Sequence, residues 1–280
     1  MVVLSHLQAT QILAARKNGQ SVVKVSLDLN LTESEVSLQP EAVLFPAGES
    51  LDWKNLEEIN GNEIACYCVA DHAAKPIKGF SEFSGRVYGL MPTVSAPTML
   101  ISGIPMHRIK DTNPYQDTLN KIKAIAPIKG DVLDTTTGLG YTAIEAAKTA
   151  RRVVTIEIDP TAQEIARLNP WSQALFGDPK ITQIVGDAFD EIEKFEAESF
   201  SAILHDPPMF SLAGDLYSLA FYRQAFRVLK HNGKIFHYIG DPESKSGARV
   251  TAGVIRRLQE AGFRRVTRAP RAFGVVAYKE

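Results

Sequence analysis

Two periods of apolar and polar positions run along the chain, and the change between them divides it in two. Residues Val22 to Leu29 read V-V-K-V-S-L-D-L, the alternation of a strand with one face buried. Shorter runs of the same kind lie at Glu35 to Leu38, Glu63 to Val69, Gly85 to Leu90 and Thr98 to Ile101, separated by glycines and prolines. Ahead of them, Ser5 to Asn18 has the spacing of a short helix, with Asn18-Gly19 as its left-handed stop. The pattern predicts a small strand-rich domain over residues 1–110. Polar D-T-N-P at Asp111 to Pro114 marks its end, because Asn113 can cap a new helix and Pro114 suits the first turn.

Over residues 111–280 strands and helices alternate. Helices are predicted at Pro114 to Ile125, Tyr141 to Thr149, Pro160 to Leu168, Phe189 to Phe195, Ser218 to Leu229 and Ala248 to Ala261. Strands are predicted to end at Val132-Leu133 and to run over Arg152 to Ile158, Ile181 to Val185, Ser201 to Leu204 and Lys234 to Ile239, with Arg265 to Arg268 and Gly274 to Tyr278 as a closing pair. Such alternation means a mostly parallel sheet. Right-handed crossovers then bring the parallel strand ends to one rim, where ligands of such sheets bind.

The strand ends carry the candidate chemistry. V-L-D-T-T-T-G-L-G at Val132 to Gly140 is a strand, a tight turn and the start of a helix, which presents backbone N–H groups and a helix N-terminus. Glycines at 138 and 140 are equally consistent with a turn that needs them for conformation alone. The next strand delivers Glu157, roughly 20 residues beyond the glycines, where a ribose-binding acid is expected. V-G-D-A-F then delivers Asp187 and Ala188, and the fourth strand runs into His205-Asp206-Pro207-Pro208. Singly, each acid could equally be a helix cap or a loop carboxylate.

Taken in order, D-T-T-T-G-L-G, T-I-E-I-D-P, G-D-A-F and D-P-P resemble the successive motifs of class I S-adenosylmethionine-dependent methyltransferases. I-S-G-I-P at Ile101 and P-Y-Q-D at Pro114 resemble aminopropyltransferases and point to the spermidine-synthase-like branch. The resemblance implies an α/β, Rossmann-like, doubly wound fold with a mostly parallel seven-stranded sheet behind the strand-rich N-terminal domain. It implies S-adenosyl-L-methionine as cofactor, with Asp134, Thr136, Gly138 and Gly140 at its methionine end, Glu157 on the ribose, and Asp187 with the Ala188 N–H at the adenine. D-P-P resembles the N/D-P-P-aromatic signature of amino-methyltransferases, with Met209 displacing the aromatic to Phe210. Prolines have no N–H, so this segment offers a donor-bearing nucleophile only acceptors. Asp206, Pro207 and Pro208 are therefore the predicted reaction residues, with His205 as a proton relay and Tyr115 and Asp117 beside the acceptor.

The sequence departs from the pattern at Thr136, where the commonest form has its first glycine, and a threonine there offers a hydroxyl instead. An aminopropyltransferase is the alternative function. Against it, Leu139 stands where such enzymes carry an acid, and Met209 stands where they carry the second acid of D-x-x-D. A non-catalytic cofactor-binding module is the third reading, which the acceptor-aiming D-P-P opposes. The acceptor, an amine-bearing small molecule, a nucleic acid or a protein, is not specified.

Composition adds bounds. With 31 basic and 32 acidic residues the net charge is −1, which argues against wholesale nucleic-acid binding. The stretch from Lys245 onward nevertheless carries nine basic residues against Glu260 and Glu280, either a phosphate-binding patch or a solvated face. No apolar run approaches the ~18 residues of a membrane span, and Met1 to Leu4 is too short for a signal-peptide core. Cys66 and Cys68, at i and i+2, are badly placed to bond each other, and no C-x-x-C or histidine cluster accompanies them. A reduced, cytoplasmic setting without a metal site is expected, and a homodimer is compatible with it.

Overall fold

The computed structural model describes residues 1–46, 48–208, 213–241 and 245–280. Met209 and Phe210, the displaced aromatic position, lie outside them. The chain divides into two compact units: Met1–Tyr115 with Thr161–Gln173, and Gln116–Pro160 with Ala174–Glu280.

The first unit is built of short antiparallel sheets. One has the order Val22–Val25, Ser34–Leu38, Ala42–Leu44, Ser50–Asp52, and another Val2–Leu4, Tyr67–Ala70, Ala73–Pro76. Helix His6–Lys17 starts at a capping box of Ser5 and Gln8. Its Ala9 and Ile12 join Leu4, Val25, Val43, Leu51 and Leu56 in the core. The predicted strand from Val22 stops at Val25, because the Asp28 carboxylate collects the backbone N–H groups of Leu31 and Thr32 at 3.1 and 2.8 Å and turns the chain. Helix Trp53–Asn60 has no counterpart among the predicted elements; Asp52 caps it by accepting from Asn55 N–H at 2.7 Å.

The second unit holds a seven-stranded sheet in the order Ile181–Val185, Arg152–Glu157, Asp131–Asp134, Phe200–His205, Leu229–Tyr238, Gly274–Tyr278, Arg264–Ala269. The first five are mutually parallel, and Gly274–Tyr278 runs antiparallel to both its neighbours. The mostly parallel doubly wound α/β fold is as predicted, and the reason is legible in V-V-T-I and A-I-L, runs apolar on both faces as strands covered by helices must be. Phe221, Tyr222, Ala225 and Val228 of helix Leu219–Val228, with Val254 and Leu258 of helix Lys245–Glu260, complete the core. Fully burying one such aliphatic or aromatic side chain stabilises by about 1.5–3 kcal/mol.

Two of the boundaries that differ from expectation have local reasons. The helix after Asp187 lasts only from Ala188 to Glu191 and tightens into a 3₁₀ turn, Ile192–Lys194. Strand Leu229–Tyr238 starts straight out of its helix: Leu229 pairs with Phe200 and Lys234 with Ala202, so the residues between bulge out. Gly274 opens its strand at a crowded spot, where a Cβ would lie 2.5 Å from the His237 carbonyl oxygen and 2.6 Å from the Phe236 ring.

Candidate functional site

The parallel strands deliver Asp134, Glu157, Asp187 and Asp206 to one edge of the sheet. The turn from Thr135 to Gly140 is braced on every side. Thr135 N–H donates to Leu204 O (3.0 Å), Thr137 N–H to Ile156 O (2.8 Å), and Gly140 N–H to Thr137 O (2.7 Å). Gly140 precedes helix Tyr141–Ala147 at φ 77°, and a Cβ there would sit 2.7 Å from Leu175, so conformation and space both require glycine.

Asp134 is fully buried. Its Oδ2 accepts from Thr142 Oγ1 and Thr155 Oγ1, both at 3.1 Å, and its Oδ1 has no hydrogen-bond partner among the described residues. Burial pushes its carboxyl up to about 8, while the two hydroxyls and a weak contribution from the Thr136 amide oppose the rise. Glu157 Oε2 accepts from Gly138 N–H at 2.8 Å and Oε1 from Asp159 N–H at 3.0 Å. Burial raises its carboxyl above the usual range, and those two amides hold it back. Asp187 is exposed and accepts from Phe189 N–H at 2.8 Å as the cap of its short helix, whose first residue, Ala188, is buried.

Asp206 follows the fourth strand. Thr136 Oγ1 donates to its carbonyl at 2.8 Å, which joins the glycine turn to the D-P-P segment. Lys121 Nζ donates to its Oδ2 at 2.6 Å and lies 2.9 Å from Asp117 Oδ2. Burial pulls the lysine down, but the two carboxylates outweigh that and its ammonium is held above the ordinary value. Burial pushes the Asp206 carboxyl up, and Lys121 only partly offsets it. Pro207 is buried, and the Pro208 carbonyl accepts from Tyr217 Oη at 3.0 Å.

His205 is fully buried with both ring nitrogens engaged. Leu216 O, 2.9 Å from Nε2, can only accept, so Nε2 carries the proton and Nδ1 accepts from Thr135 Oγ1 at 2.7 Å. Burial pulls its pKa down to about 3, so the ring is neutral, and it stacks 4.7 Å from Phe221. Tyr115 belongs to the first unit, where its ring packs 5.3 Å from Trp171.

Lys121, Thr142 and Thr155 were not singled out by the motifs. The signal for Lys121 is its place four residues after Asp117 on helix Pro114–Ile125, a spacing that ordinarily marks an exposed helical ion pair. Two cavities, of about 480 and 370 Å³, open at the opposite edge of the sheet beside Asp131, Arg151 and Lys180 and beside Lys129, Lys234 and Tyr278. Neither holds the strand-end carboxylates, and the chemistry follows the carboxylates. Among the described residues no helix is long and apolar enough to cross a membrane, and no histidine, cysteine and acid cluster could hold a metal.

Residues 117–243 match the Methyltransferase small domain family model. The match places a methyltransferase domain largely within the second unit, and the strand order and motif placement are similar to those of the class I methyltransferases. The chain belongs to one family with the uncharacterized protein MJ1233 of Methanocaldococcus jannaschii, 45% identical over 270 residues that cover 94% of this chain and 91% of the relative. Putrescine N-methyltransferase 2 of Nicotiana tabacum is 28% identical over 102 residues, 35% of this chain and 29% of that protein. The solved spermidine synthase from Thermotoga maritima shares the fold, with a TM-score of 0.57 and 19% identity over 72% of this chain and 71% of that one.

Proposed function

We propose that the protein uses S-adenosyl-L-methionine to methylate a nitrogen of its acceptor. The observation that carries this reading is the 2.8 Å bond from the Thr136 hydroxyl to the Asp206 carbonyl, which makes the glycine turn and the acceptor-aiming segment one corner of the site. The partial match to a putrescine N-methyltransferase supports nitrogen as the atom methylated, and its limited coverage supports the reaction class rather than the substrate.

The residues present fit the cofactor. Asp134 Oδ1 is a buried acceptor without a donor among the described residues, the condition that a ligand ammonium would satisfy. Glu157 stands beside the turn with its carboxylate already oriented by two amides, and Asp187 with the Ala188 N–H offers one acceptor and one donor for an aminopurine edge. When bound, S-adenosyl-L-methionine supplies an electrophilic methyl group on a sulfonium. Asp206 does the orienting: Lys121 holds Oδ2, and Oδ1 accepts an N–H of the acceptor and so aims its lone pair. Asp206 Oδ1 would take up the proton that the nitrogen sheds on methylation and pass it to water, the side chain being 20% exposed. Pro207 and Pro208 fix the segment and keep competing N–H donors away. We assign His205 a bracing role in place of a proton relay, because neither ring nitrogen is available.

Calorimetry with S-adenosyl-L-methionine and with its decarboxylated form tests the reading. Tighter binding of the intact cofactor is expected, and the reverse preference would overturn it in favour of aminopropyl transfer. Transfer of a labelled methyl group to fractions of small amines, nucleic acids and proteins then identifies the acceptor.

A further inference from the structure

Around Lys121 the protein has assembled the means of recognising an alkylammonium. Its Nζ lies 2.6 Å from Asp206 Oδ2, 2.9 Å from Asp117 Oδ2 and 4.7 Å from the centroid of the Tyr238 ring. Two carboxylates and an aromatic face are the partners a primary amine on an aliphatic chain takes when it leaves water. The lysine is 2% exposed and Asp117 0%, so the arrangement is not a surface ion pair. Lys121 thus bridges two carboxylates, one fully buried and one 20% exposed.

The chemistry of methyl transfer gives this occupancy a meaning. A nitrogen attacks through its lone pair, which an ammonium lacks. Freed of the lysine, two carboxylates beside the acceptor would attract an alkylamine and favour its protonated, unreactive form. With Lys121 seated on both, the acceptor meets a single carboxylate oxygen, Asp206 Oδ1, able to accept one N–H from an uncharged nitrogen.

We propose that Lys121 is a specificity-determining residue whose ammonium occupies an alkylammonium position between Asp117 and Asp206, excluding alkyl diamines and polyamines in favour of a nitrogen that arrives uncharged, such as an aromatic amino or amide-like group. The inference rests on the methyltransferase reading for the identity of the acceptor, but it is tested through amine binding without cofactor. The probes are 1,4-diaminobutane and its uncharged match, 1,4-butanediol, titrated into the full-length wild type and Lys121→Ala. The variant removes the cation and leaves room for a linear amine. It should bind the diamine about 10- to 100-fold more tightly than the wild type, the range for one charge-assisted hydrogen-bonding partner, and should not gain affinity for the diol. A folded Lys121→Ala that binds the diamine no better than the wild type overturns the proposal, as does equal gain for the diol. If Lys121→Ala does not fold by circular dichroism, Asp117→Asn/Lys121→Ala, with one carboxylate fewer to satisfy, is read against the same outcomes. In every case a wild type that binds the diamine as tightly as its S-adenosyl-L-methionine overturns the exclusion. Failure of the wild type to bind S-adenosyl-L-methionine would sink the methyltransferase reading and leave the amine result standing.

Discussion

Asp134 and Asp206 sit at the ends of adjacent parallel strands, where Asp134 pairs with Leu204, yet the fold neutralises them in opposite ways. Asp134 forms no ion pair among the described residues. Two threonine hydroxyls reach one of its oxygens, and burial keeps a proton on the carboxyl up to about 8. Asp206 is given a lysine at 2.6 Å and stays partly open to solvent. A buried carboxylate needs either a proton or a partner charge, and the choice decides what it can do next. The protonated one is ready to exchange its proton for an arriving cation, whereas the paired one has a single oxygen left with which to orient a neutral group.

The largest effect should come from breaking the paired side. Asp206→Asn turns the remaining acceptor into a group that can also donate, so turnover should fall by roughly 10²- to 10⁴-fold while cofactor binding stays near wild type. Wild-type turnover on the identified acceptor would remove Asp206 from the mechanism, and loss of cofactor binding would move it to the other side of the comparison.

The protonated side is exposed by pH. The folded Asp134 carboxyl keeps its proton to about 8, whereas in the unfolded chain it loses it near 3.8, so folding takes up a proton between those values. Its contribution to stability is full below the unfolded value and is lost as pH rises through the window, with a slope of at most about 1.4 kcal/mol per pH unit. Asp134→Asn should flatten that fall in chemical-denaturation curves measured from pH 5 to 8. An unchanged slope would show that the carboxyl is ionised in the folded protein.

Glu157 lies between the two extremes: its carboxylate oxygens each accept from a backbone amide. Glu157→Ala should weaken cofactor binding by about 2–3 kcal/mol, read by calorimetry, and an unchanged dissociation constant would place the ribose elsewhere. The smallest change, Thr142→Val, removes one of the two hydroxyls on Asp134. Thermal unfolding should report a loss of about 1 kcal/mol, and the pH window should extend upward because one group favouring the ionised form has gone.

How far this corner could be read from sequence depends on how local each cause is. Helix Pro114–Ile125 and strands Ile181–Val185 and Gly274–Tyr278 match their predicted bounds, because caps, prolines and apolar runs act over a few residues. The acids at the strand ends were legible from the same local pattern. Lys121 was not, since its burial depends on Asp206, 85 residues further on. Nor was the grouping of Thr161–Gln173 with the first unit, in which Trp171 Nε1 donates to Leu29 O at 2.8 Å across 142 residues. Helix Trp53–Asn60 escaped because eight residues with only Trp53, Leu56 and Ile59 buried give too short a period to stand out.

The antiparallel strand Gly274–Tyr278 bears on the order of folding. It fills the gap between Leu229–Tyr238 and Arg264–Ala269, so one edge of Leu229–Tyr238 stays open until a segment some 40 residues later arrives. That edge carries Ile235 and Phe236, apolar and fully buried once paired. During synthesis the parallel half of the sheet can assemble with a sticky, unsatisfied margin still exposed to other chains. The narrow seat that admits only glycine at position 274 then acts as the gate to completion, and a side chain there would slow closure and raise aggregation during refolding even where the finished protein remained stable enough to isolate.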